Sequence, residues 1–148
     1  MSDTHGLLRA EALRALHGCD RIIHAGDIGG PAILGELRKL APVSAVRGNN
    51  DTESWSHALP ERRTLRIEGV RVLVLHDALA LRGSALPRGI RVVVSGHSHK
   101  PVANERDGVL FVNPGSAGPR RFSLPISLAI LEISGTEVAA RLVGIAPE

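Results

Sequence analysis

Two histidines spaced i and i+2, His97 and His99, follow the apolar run Val92-Val93-Val94 and the turn signal Ser95-Gly96. In an extended backbone that spacing puts both imidazoles on one side, about 7 Å apart at the Cα atoms. Two neutral imidazoles at a strand end can reach one metal ion or two adjacent ones. A lone pair of this kind is more commonly found on a surface loop, but here the pattern recurs along the chain. Asp3 and His5 repeat the spacing just before Gly6. Asp27 follows the apolar stretch 22–25, Asn49 follows residues 43–46, and His76 directly follows residues 70–75.

In open α/β sheets, ligands bind outside the carboxyl ends of the strands, so these loops are expected to converge on one edge. Together they bring two carboxylates, one amide oxygen and four imidazoles. A single ion rarely needs seven such ligands, whereas two ions sharing a bridging carboxylate do. The donor mix suits Mn²⁺, Fe, Zn²⁺ or Ni²⁺ better than Ca²⁺ or Mg²⁺ alone. The ligand set contains no thiolate, which argues against a structural zinc site. His17, His24 and His57 are read as structural or surface groups.

The elements that must position these groups can be read from periodicity. Residues 7–16 form an amphipathic helix pattern, with Leu7, Leu8, Ala12, Leu13 and Leu16 on one side and a stop at His17-Gly18. Residues 21–25 read as a strand. Gly29-Gly30-Pro31 breaks the chain and opens a helix through Leu40 that buries Ile33, Leu34 and Leu37. Residues 43–46 are a short strand. The polar stretch 52–63 is a loop or a lid. Residues 64–67 and 70–75 make a hairpin around Glu68-Gly69. Residues 78–89 hold at most a turn or two of helix. Strands follow over 90–94, 102–106, 109–112, 127–133 and 138–143. No repeat or linker interrupts the chain, so one domain over residues 1–148 is expected. The fold class is α/β: two packed mixed β-sheets, face to face, flanked by helices.

Composition narrows the function classes. The 148 residues are 43% hydrophobic and 22% charged, the balance of a soluble globular protein with one sizeable core. Aromatics are 2%, with no Tyr, so stacking platforms for single-stranded nucleic acid are not expected. The net charge of +3 is too small and too scattered for a nucleic-acid footprint. An anionic small substrate is compatible with it. The single cysteine, Cys19, excludes an internal disulfide framework and suits a reducing cytoplasm. No apolar run approaches a membrane span.

Asp3-Thr4-His5-Gly6, Gly26-Asp27, Gly48-Asn49-Asn50-Asp51, His76 and Gly96-His97-Ser98-His99, in this order, resemble the calcineurin-like metallophosphoesterases. Asn113-Pro114-Gly115-Ser116 followed by Pro119-Arg120-Arg121 is similar to their small bacterial and archaeal phosphodiesterase branch. The resemblance implies a metallophosphoesterase-like α/β sandwich with a two-metal site. Asp3, His5 and His99 would hold one ion, Asn49, His76 and His97 the other, and Asp27 would bridge them. Mn²⁺ is the first expectation for both ions, with Ni²⁺, Zn²⁺ or Fe as alternatives. The implied reaction is hydrolysis of a small phosphodiester, or a monoester, by a metal-bridging hydroxide. A homodimer is a further implication.

Two departures from that pattern bear on the structure. Many members carry His after the motif asparagine; here Asn50 stands there, able to donate a hydrogen bond but not to titrate. Asp51 is a substitute candidate for leaving-group protonation. Members also have a buried strand before the first Asp-x-His, whereas only Met1 and Ser2 stand there in this sequence. A start several residues upstream is one expectation. The other is a truncated protein with an open core, unpaired backbone groups and unanchored Asp3 and His5. The rival reading is a non-catalytic protein-binding scaffold on the same fold, resembling the retromer scaffold subunit.

Overall fold

In the computed structural model, which describes residues 1–145, the chain alternates helix and strand early and is strand-rich later. The helix expected over 7–16 is shorter, α1 (Ala10–Leu16). The difference is local: Leu7 N–H closes a turn onto Thr4 C=O, and Arg9 enters the helix with extended backbone, its Nε bonded to Gly118 C=O. Strand β1 (Ile22–His24) follows. Helix α2 (Pro31–Arg38) has Pro at its first position, where no N–H is needed, and buries Ile33, Leu34 and Leu37 as its spacing predicts. Strand β2 (Val43–Ala45) pairs parallel with β1. A 3-10 turn, Ser54–Ala58, occupies the polar stretch after it.

A five-stranded mixed sheet comes next: β3 (Arg62–Ile67), β4 (Val70–Leu75), β5 (Ile90–Val94), β6 (Val102–Arg106) and β7 (Val109–Asn113). Its order is β3-β4-β5-β7-β6, with β4, β5 and β7 mutually parallel in the middle. Those central strands carry the near-continuous Val/Leu/Ile runs expected of strands buried on both faces. The chain ends in the hairpin β8 (Ser127–Ser134) and β9 (Glu137–Gly144).

The five-stranded sheet packs one face on a layer made of β1–β2 and β8–β9. Val72, Val74, Val92, Val94 and Val112 meet Ala25, Val46, Leu131 and Ile133 there. The two helices cover the outer side of that second layer through Leu16, Ile33, Leu34 and Leu37. The expected sandwich is present, but both helices lie on the same side. The far face of the large sheet is closed instead by the 3-10 turn Ala78–Leu81 and its flank, where Leu81 and Leu86 sit on Leu73, Leu75, Ile90 and Val93.

The first residues are anchored, contrary to one expectation. Residues 1–4 are buried. The Met1 ammonium donates to Ile23 C=O, and Ala25 N–H returns to Met1 C=O, one rung of a parallel ladder beside β1. Ala117 N–H bonds Ser2 C=O on the other side. A cleft of about 650 Å³ separates residues 18–23 from residues 129–133, over Val94 and Val112. Among the described residues, β1 is paired with a strand on one edge only, and β8 likewise.

Candidate metal centre

The loops after β1, β2, β4 and β5 meet at the carboxyl ends of their strands, and with the N-terminal segment they assemble all seven candidate ligands. Asp3, His5 and His99 form one group, and Asp27, His76 and His97 a second. Within each group the potential ligand atoms lie within 4.8 Å of one another. Asn49 joins the second group through Oδ1, 3.1 Å from His97 Nδ1. Asp27 faces both: its Oδ2 is 3.2 Å from His76 Nε2 and 3.8 Å from His5 Nε2.

Backbone strain concentrates here. Asp3, His5, Asp27, His97 and His99 all have positive φ, between 45° and 71°. For residues with a Cβ this region costs roughly 1 kcal/mol or more apiece and persists only where neighbours enforce it. The neighbours are backbone hydrogen bonds: Asp3 N–H to Gly26 C=O, His5 N–H to Asp27 C=O and Gly6 N–H to Ile28 C=O stitch the first ligand loop to the second. Two glycines permit the close approach. A Cβ at Gly48 would overlap Asp27 Oδ1, and one at Gly96 would overlap Ser2 Oγ.

The donor set fits divalent cations on electrostatic grounds. Asp3 is fully buried, and its Oδ1 has no hydrogen-bond partner among the described residues. That oxygen faces three imidazole nitrogens, His99 Nε2 at 3.4 Å, His5 Nε2 at 3.7 Å and His76 Nε2 at 3.9 Å. His5 Nε2 and His99 Nε2 also face each other at 3.3 Å. Lone pairs converging on one point repel unless a cation or protons lie between them.

Surrounding contacts set the protonation states. His76 Nδ1 donates to Ala25 C=O, 2.8 Å away, which turns the Nε2 lone pair to the site. Burial alone would lower the pKa of His76, but Asp27 and the Ala25 carbonyl outweigh it and raise it. Burial would likewise raise the Asp27 carboxyl. His76 and the Asn50 backbone and side-chain amides overcome that and hold it well below the ordinary carboxylate range. Burial, then the charge of Arg121 and the neighbouring His5, push His99 down against the pull of Asp3. Asp27 therefore stays ionised and His99 neutral at pH 7, the forms that ligate metals.

Several residues beyond the seven hold the site. Asp51 accepts from the N–H groups of Ile28, Gly29 and Gly48, tying the loop after β1 to the loop after β2. Its buried carboxylate is taken up by backbone, which makes it a clamp rather than a proton donor. Asn50 Nδ2 donates to Asp27 Oδ2. Asn113 Nδ2 donates to Gly96 C=O and to Ser98 Oγ, shaping the turn that presents His97 and His99. Asp77 Oδ2 lies 3.8 Å from His97 Nε2. The Asn-Pro-Gly-Ser motif marked Asn113 in the sequence. Asp77 had no signal beyond standing next to His76.

Residues 1–136 match the Calcineurin-like phosphoesterase superfamily domain. The chain belongs to that superfamily. It is 36% identical over 155 residues to a probable metallophosphoesterase of Methanothermobacter thermautotrophicus, covering 97% of this chain and 89% of that protein. Its fold is similar to that of Yfce, a phosphoesterase from Escherichia coli, with TM-score 0.71, 27% identity, and 98% and 97% of the two chains covered. It is also similar to Vacuolar Protein Sorting 29 from Cryptosporidium parvum, with TM-score 0.76, 18% identity, and 97% and 95% covered. At that identity the last likeness is one of fold alone. Among the described residues, no helix is long and apolar enough to cross a membrane.

Proposed function

We propose that this calcineurin-like phosphoesterase is a two-metal hydrolase of small phosphodiesters. The observation that carries the reading is the buried, unpartnered Asp3 Oδ1 facing three imidazoles, beside a second ligand group that shares Asp27. Asp3, His5 and His99 would hold one ion, and Asn49, His76 and His97 the other, with Asp27 between them. Mn²⁺ is the proposed metal. When bound, such a pair supplies Lewis acidity to the phosphoryl oxygens and lowers the pKa of water toward neutrality.

The chain's own residues orient and tune this centre. Asn50 keeps the Asp27 carboxylate ionised and aimed inward by donating to both of its oxygens. The bond from His76 to Ala25 fixes one imidazole in its ligating tautomer. Neither Asn50 nor the amide-saturated Asp51 can hand a proton to a departing alkoxide. The site is therefore suited to esters whose leaving group departs without protonation, such as aryl phosphates. A cytoplasmic location and a homodimer belong to the same reading.

Hydrolysis of a chromogenic aryl phosphodiester tests the proposal, using metal-stripped protein, protein with Mn²⁺ restored, and His97→Ala. Turnover should require Mn²⁺ and fall more than about 100-fold in the variant, beyond the ~10–100-fold typical of losing a group outside the ligand shell. Mn²⁺ binding without turnover on aryl diesters or monoesters would overturn the hydrolase in favour of a protein-binding role. That rival is supported by the likeness in fold to Vacuolar Protein Sorting 29, while four imidazoles converging at strand ends speak against it.

A further inference from the structure

His24 is fully buried, lies outside the ligand set and has both ring nitrogens engaged. Gly26 N–H donates to its Nδ1 at 3.1 Å, which leaves the ring proton on Nε2. That Nε2–H meets Thr4 Oγ1 at 3.0 Å, and the Thr4 hydroxyl passes its own hydrogen to Ile28 C=O at 2.7 Å. The donors and acceptors run in one direction without conflict. Burial, then the N-terminal ammonium and His76, push the His24 pKa well down, so the ring is neutral as this order of bonds requires.

The placement of this relay is what matters. Thr4 stands between Asp3 and His5, and Gly26 and Ile28 stand on either side of Asp27. All three of those ligands have left-handed backbone. The relay thus ties the first metal group to the shared carboxylate at its most strained points. Asn49, His76 and His97 share no hydrogen bond with it among the described residues, although the His76 ring packs against Gly26; their loops are fixed by Asp51, the Ala25 carbonyl and Asn113.

We propose that Thr4 and His24 are positioning residues that set the affinity of the Asp3/His5/His99 group selectively, through the hydroxyl–imidazole relay across the two ligand loops. This rests on the two-metal reading above.

The test is calorimetric titration of the metal-stripped full chain with Mn²⁺ in two backgrounds. His97→Ala disables the second group and reports the first, and His99→Ala does the reverse. Thr4→Val keeps the shape of the side chain and removes the hydroxyl. It should weaken Mn²⁺ binding about 10–100-fold in the His97→Ala background, the usual scale for losing an outer hydrogen bond, and less than about threefold in the other. Thr4→Ser should restore the first group to within about threefold. His24→Gln retains a donor toward Thr4 and should fall between Thr4→Ser and His24→Leu, which guards against Thr4→Val failing to fold.

Equal losses in both backgrounds would make the relay a general fold support and overturn the proposal. So would Thr4→Ser behaving like Thr4→Val, or no change at all. Failure of the unsubstituted chain to bind Mn²⁺ would instead sink the two-metal reading, and the relay with it.

Discussion

The two ends of the layer containing β1 differ sharply. At the carboxyl end of β1, the backbone is bonded on both sides: Gly26, Asp27 and Ile28 carbonyls take Asp3, His5 and Gly6, and Asp51 takes three further amides. At the other end, residues 18–23 face residues 129–133 across a cleft of about 650 Å³, with no strand of the described residues between them. One region tolerates no added atom at Gly48 or Gly96, while the other has room for several side chains. The precision of the candidate metal centre therefore comes from loop-to-loop hydrogen bonding, not from a fully paired sheet beneath it. Met1 joins the two regions, its buried amino group bonded to Ile23 C=O and the pKa of that group pushed down to about 5 by burial.

The sharpest way to break this comparison is to remove the group that the dense end is built around. Asp27→Ala should abolish Mn²⁺-dependent turnover, a loss of more than about 100-fold, because it empties the position facing both ligand groups. Stability of the metal-free protein should fall by about 1–3 kcal/mol, since the change leaves the His76 imidazole and both Asn50 donors without their partner. Urea denaturation alongside the assay checks this. Collapse of the fold instead would make Asp27 a structural residue.

Crowding separates the two ends next. Gly96→Ala pushes a methyl into Ser2 and Asp3 and should cost about 1–3 kcal/mol, with activity lowered too. Ala129→Leu adds three carbons to the cleft and should stabilise by roughly 0.5–2 kcal/mol, as cavity filling does, with Mn²⁺ affinity unchanged. Denaturation midpoints of both variants decide. A destabilising Ala129→Leu would mean that the cleft is held at fixed width.

Much of the dense end was legible in the sequence because its signals are local. Apolar runs of Val, Leu and Ile place Asp27, Asn49, His76, His97 and His99 at strand ends, the i, i+2 spacing of His97 and His99 recurs at Asp3 and His5, and the structure brings all seven together. The second helix was equally plain from Pro31 and the 3.6-residue spacing of Ile33 and Leu37, although it ends at Arg38 and not at the expected Leu40. What was hidden depends on contacts distant in sequence. His24 read as a structural or surface histidine, yet its alternation with Ile22 put it on the buried face of β1, where it meets Thr4 twenty residues away. The start of α1 at Ala10 rather than Leu7 is set by Arg9 reaching Gly118. The one-sided placement of the helices likewise follows from packing, which periodicity does not encode.

The smallest effect expected is a pH signature belonging to the dense end alone. His24 has its pKa depressed in the folded chain below the ordinary 6.5, so below that pH the unfolded chain takes up a proton that the folded chain refuses. Its contribution is present above about pH 6.5 and is lost as pH falls, with a slope of at most ~1.4 kcal/mol per pH unit for one proton. His76 runs the other way: its pKa is raised, so its pairing with Asp27 contributes fully below 6.5 and fades as pH rises through the higher value. His24→Gln removes the first component and leaves the second. In metal-stripped protein, the stability gap between the unsubstituted chain and His24→Gln should therefore shrink between pH 7 and pH 5. Urea midpoints at three pH values measure the gap. A constant gap for His24→Gln would mean the ring protonates in place, and the one-way order of bonds from Gly26 through His24 to Thr4 would not hold.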